Sequence, residues 1–154
     1  MRTAGITAGI TVLAAFIGLV VPVTPAAAGL FSATRAVIAI LADELFVGEA
    51  EGHLDGAGTL AIRSQKHPAL TCLGDFTSSA AKGGSGQMHC SDGTTAIFHF
   101  QRLTVFRGHG TGSFSRGPMS FAYGLTAEEA GPYLKLPRGK KLEHNGTELA
   151  LVDL

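Results

Sequence analysis

The chain has 154 residues, with 12 basic and 12 acidic side chains, six histidines, no tryptophan and 21 glycines. Zero net charge with both signs dispersed excludes the field that gathers nucleic-acid backbones. The only basic cluster, Lys135, Arg138, Lys140 and Lys141, is followed by Glu143 and reads as a solvated loop. A glycine content this far above the average of roughly 7% also excludes a bundle of long helices, because each interior glycine costs about 1 kcal/mol relative to alanine.

The first residues address the chain. Arg2 precedes an uncharged run from Ile6 to Val23, then the breakers Pro22 and Pro25, then Ala26-Ala27-Ala28. Charge, apolar run, breaker and small residues in that order predict a secretory signal peptide over 1–28, cleaved after Ala28. The apolar run is at the lower edge of what spans a bilayer, contains Gly9 and Gly18, and is followed by no basic stop-transfer cluster. Membrane attachment is therefore expected only through an uncleaved signal. The first cysteine is Cys72, so a lipid-anchor cysteine at the cleavage site is excluded. Residues 29–154 then form a single β-rich domain in the periplasm or outside the cell.

Export gives the two cysteines a meaning. In an oxidising compartment an even count predicts a disulfide, and Cys72–Cys90 is the sole pairing available. A metal site using Cys72, His89 and Cys90 would lack the CxxC or HxxxH pair that assembles a tetrahedral centre.

In the mature region, Thr34–Asp43 is ambiguous. Val37, Leu41 and Leu45 have helical spacing, yet Val37–Leu41 also reads as a buried strand. An extended segment is preferred, because Asp43 and Glu44 would oppose the dipole at a helix C-terminus. Leu45–Asp55 and Thr59–Gln65 flank Gly56-Ala57-Gly58 as a hairpin. Leu70–Ser78 carries Cys72, Gly83–Gly86 reads as a loop, and Gln87–Ser91 returns with Cys90. After the Asp92-Gly93 turn, Thr94–Phe106 is the strongest strand. In it Ala96, Phe98 and Phe100 share one parity, and the apolar parity then moves to Leu103 and Val105, which predicts a bulge near Gln101-Arg102.

Gly108, Gly110 and Gly112 recur with period two, leaving one strand face bare, as small barrels require. Met119, Phe121, Tyr123 and Leu125 alternate with small or polar residues. Thr126-Ala127-Glu128-Glu129 has the form of a capping box, predicting a short helix that Gly131-Pro132 ends. Leu142–His144 and Thr147–Val152 flank Asn145-Gly146, a strong hairpin signal. The fold expected is mainly β: a small antiparallel twisted sheet or partly open barrel, with one short helix near 126–131.

No motif assigns catalytic, cofactor-binding or metal residues, and no cofactor is expected. His53, His67, His89, His99, His109 and His144 include no i, i+4 pair on a plausible helix and no H-x-H. No G-x-S-x-G frames a nucleophile, and Ser115, His109 and Asp92 meet only by assumption. Glu49 and Glu51 share one strand face without a further sign of acid–base work. Gly108–Gly112 lacks the frame of a phosphate loop.

One stretch carries a family pattern. Cys72-Leu73-Gly74, the Gly84-Ser85-Gly86 segment, Cys90-Ser91-Asp92-Gly93, Gly108–Gly112 and Phe121-Ala122-Tyr123-Gly124 follow in order. Over about residues 70–125 this resembles small exported or lipid-anchored proteins of proteobacteria. The resemblance implies a compact β domain of the cell envelope and no known catalytic residues. Two functions are thus expected in competition. The first is a non-catalytic envelope module binding a protein, a glycan or a lipid. The second is a small secreted hydrolase or metal-binding enzyme in which His53, His89, His99 or His109 converges with Asp75 or Asp92.

Overall fold

The computed structural model describes residues 32–79 and 82–154; the expected signal peptide lies outside them. Eight antiparallel strands follow one another around a closed barrel: β1 (Ser32–Leu41), β2 (Glu44–His53), β3 (Ala57–Ser64), β4 (Thr71–Ser79), β5 (Gly83–Cys90), β6 (Thr95–Thr104), β7 (Arg107–Phe114) and β8 (Gly117–Tyr123). Each strand pairs with the next, and β8 pairs back onto β1 from Val37↔Tyr123 to Leu41↔Met119. The mainly β expectation holds, and the eight-stranded sheet closes on itself through β1 and β8.

Alternation decides what faces inward. Leu60 and Ile62, Met88 and Cys90, and Ala96, Phe98 and Phe100 occupy one parity of their strands and join Val37, Phe46, Met119 and Phe121 in one buried cluster. The other parity presents exposed Arg63, Asp75, Gln87, His89 and His99 to solvent. A membrane-spanning barrel has the opposite polarity, with an apolar outer band. This wall is apolar inside and largely polar outside, with Leu73 and Ile97 as exposed apolar exceptions.

The glycines explain how so narrow a barrel takes so many rings. A Cβ at Gly84 would overlap the Phe100 ring, one at Gly86 the Phe98 ring, and one at Gly110 the Phe121 ring. Aromatic side chains of β6 and β8 therefore lie across bare backbone of β5 and β7. They meet edge to face: Phe98 and Phe121 at 5.3 Å between centroids, Phe76 and Phe100 at 5.5 Å, Phe100 and Tyr123 at 5.9 Å. For the same reason Gly83–Gly86 is not the loop expected from composition. It is the first half of β5, paired with β4 and β6.

β1 is a strand, as preferred, and both of its faces are buried. Val37, Ala39 and Leu41 face the lumen, while Ile38 and Ile40 pack outside against Leu125, Ala130, Leu134 and Leu149. That outer cover is the C-terminal segment. It begins with α1 (Ala127–Ala130), whose Thr126 and Glu129 form the expected capping box. A 3-10 turn over Gly131–Tyr133 follows rather than an immediate stop. The segment ends in a hairpin of β9 (Lys140–Asn145) and β10 (Glu148–Asp153), with the turn at Gly146-Thr147. Ser120, fully buried on β8, accepts a hydrogen bond from the Lys135 amide at 2.8 Å and ties the segment to the wall.

Candidate functional site: an apolar cavity at one end of the barrel

The two ends of the barrel differ. At one end Leu41, Phe46, Ile62, Met88, Phe114 and Met119 fill the lumen. Cys72 and Cys90 are directly opposed on β4 and β5 there, with their sulfurs at bonding distance and their Cα atoms 3.9 Å apart. This floor is closed further by a polar lock. Glu44 accepts hydrogen bonds from Ser64 and, at 3.0 Å, pairs with Nδ1 of His67, while Ser64 Oγ accepts from the His67 amide at 2.8 Å. Burial of Glu44 works to raise its pKa, but the bonds from Ser64 and His67 outweigh it and hold the carboxyl below its ordinary value. The acid stands between serine and histidine, so no histidine activates the hydroxyl. The three residues fasten the β3–β4 loop.

Among the described residues the opposite end is open. A cavity of about 300 Å³ runs from the mouth down to Leu60, Phe98 and Phe121, within the usual range of ligand pockets, about 300–1,000 Å³. Its walls are Val37, Ala50, Phe76, Phe100 and Tyr123. Its rim comes from the start of β1, the β2–β3 turn and the β6–β7 turn, through Arg35, His53, Leu54, Val105 and Phe106. Leu54 is 81% exposed, Val105 67% and Phe106 47%, so the rim exposes apolar side chains beside Arg35 and His53. The Arg35 guanidinium lies over the Phe106 ring, 4.3 Å from its centroid.

Arg102 is the polar feature of this cavity. It follows Ala96, Phe98 and Phe100 on the inward parity of β6 and lines the cavity beside Ser78, whose Oγ accepts from Nη2 at 2.6 Å. Its Nε is buried and has no hydrogen-bond partner among the described residues. The Tyr123 hydroxyl is pushed above its ordinary pKa by burial, against an opposing pull from Arg102.

The expected parity change of β6 is thereby corrected. The register does shift, between Arg102 and Thr104. It does not carry the apolar residues inward: Arg102 faces the lumen, while Leu103 and Val105 are exposed. The strand ends here at the mouth, where a long cationic side chain reaches a polar partner and the exposed apolar residues become rim.

The histidines and acids singled out from the sequence are not brought together. His53 is exposed at the rim, and Asp55 is engaged in its turn, accepting from the Ala57 amide at 2.9 Å. His89 stands opposite Thr95 on β5–β6, four residues from His99, a separation of about 13 Å along the strand. His109 stacks on Tyr133 at 4.1 Å and helps hold the C-terminal segment. Asp92, far away at the floor, accepts from Thr94 and pairs with Arg116, and the Thr94 bonds hold its pKa down. Ser115 is bonded to Thr95, Asp75 and Glu49 lie on the outer face, and His144 is in the outer hairpin. Among the described residues no group of three or more His, Cys, Asp or Glu side chains is placed to hold a metal ion.

Phe98, Phe100 and Phe114 are inside the barrel and Phe106 is on the rim. Arg102 was the residue missed. Its signal was a charge on the inward parity of a clearly alternating strand.

No protein-family model, curated protein or solved structure matches the chain.

Proposed function

We propose that this is an exported, non-catalytic binding protein of the cell envelope whose barrel takes up a small apolar molecule. The cavity carries this reading: about 300 Å³ of space walled mainly by aliphatic and aromatic side chains, open at a rim that exposes apolar side chains, in a barrel otherwise packed to its floor. Burial of a hydrocarbon in such a space contributes about 0.8 kcal/mol per methylene. Of the protein, glycan and lipid partners expected from sequence, the lipid class fits this chemistry, since a glycan needs many hydrogen-bonding groups. The signal-like 1–28 segment and the Cys72–Cys90 pair support an oxidising compartment.

The test is a titration with the uncharged fluorophore N-phenyl-1-naphthylamine. Saturable enhancement is expected, and Ala50→Phe, which fills the cavity from β2, should abolish it while preserving the far-UV spectrum. Failure of the wild-type protein to bind, or undiminished binding by the filled variant, would overturn the reading.

A further inference from the structure

The charged side chains that line the cavity are cationic. Arg35, His53 and Arg102 line the cavity, and no Asp or Glu does. Among the described residues Arg102 takes part in no ion pair. Residues 1–31 and 80–81 contain no Asp or Glu, so they add no side-chain carboxylate to pair with it. A guanidinium in apolar surroundings, bonded to one serine hydroxyl and with Nε unsatisfied, is costly until a counter-charge arrives. Arginine is also the side chain that grips a carboxylate through two parallel bonds. Immediately below, Phe98 and Phe121 offer only hydrocarbon. Tyr123, aligned with Arg102 across Gly108 in the barrel wall, supplies a second donor.

Resting on the binding function proposed above, we propose that the ligand is a single-tailed amphipathic carboxylate. Its head group pairs with Arg102 at the mouth, and its tail runs down the lumen toward Phe98. Arg35 adds positive potential at the rim, where its stacking on Phe106 holds it in place.

Decanoate and decan-1-ol separate head-group recognition from apolar burial. Each would be titrated at pH 8 against wild type, Arg102→Met and Arg102→Lys, by displacement of N-phenyl-1-naphthylamine and by calorimetry. Wild type should bind decanoate at least tenfold more tightly than decanol. Arg102→Met should weaken decanoate by about ten- to a hundredfold, the range of charge-assisted hydrogen bonds, and change decanol by less than twofold. Arg102→Lys should recover part of the preference, since it keeps the charge without the fork. Equal wild-type affinities for the two ligands would overturn the carboxylate assignment and leave the apolar cavity standing. That comparison needs no variant, so it decides even if Arg102→Met does not fold. Binding of neither ligand would overturn both readings.

Discussion

Breaking the Cys72–Cys90 cross-link should lower the melting temperature by about 12 °C. The two residues are 18 apart in sequence, and closing a loop of that length in the unfolded chain is worth about 3 kcal/mol in the chain-entropy account. Unfolding entropy is about 2.1 cal/mol/K per residue, or about 260 cal/mol/K over residues 32–154, and the ratio gives the shift. Cys72 is fully buried, so the protein would be unfolded in denaturant, reduced, and refolded with and without an oxidant before thermal circular dichroism. Reduced chain retains both sulfur atoms, so the floor of the barrel keeps its packing volume and the difference isolates the cross-link. A double alanine variant should melt lower still, because it also removes atoms from among Ile62, Met88 and Phe114. If oxidised and reduced proteins melt within about 4 °C of each other, the reasoning fails. The β4–β5 hairpin would then be held closed in the unfolded chain without the bond.

Gly110→Val should cost about 1–3 kcal/mol in urea unfolding, because the new Cβ overlaps the Phe121 ring and the His99 backbone; an unchanged midpoint would refute the account of rings lying on bare strands. Glu44→Gln should destabilise at pH 7, by an amount that shrinks as the pH falls below 4.5. The folded carboxyl titrates below its ordinary value of 4.5, so its contribution is complete above that pH and is lost as the pH falls through the lower folded value. Urea curves of both proteins over a series of pH values from 7 downward check this, and a difference that does not shrink with falling pH would sink it. Thr126→Ala removes the cap of α1 and should cost about 0.5–2 kcal/mol. Amide exchange should quicken in 126–134 while the lumen strands stay protected; uniform quickening would show that the C-terminal cover is no separate unit.

Features set by near neighbours were legible before the fold. The alternation of Ala96, Phe98 and Phe100, the Thr126–Glu129 capping box, the hairpin around Gly146 and the sole cysteine pairing each depend on a few adjacent side chains or on elimination. Features set by contacts distant in sequence were not. Val37–Leu41 reads equally as helix or strand because both faces are covered, one by the lumen and one by the C-terminal segment, so periodicity disappears. Gly83–Gly86 looks like a loop until Phe98 and Phe100 arrive from β6 to need the space. Arg102 looks like the edge of a bulge until barrel closure brings Ser78 and Tyr123 around it. A strand's own residues determine that it extends and which parity is apolar. Only closure of β1 on β8 decides that the apolar parity becomes a lumen, that one end of it stays empty, and that a charge stands at its mouth.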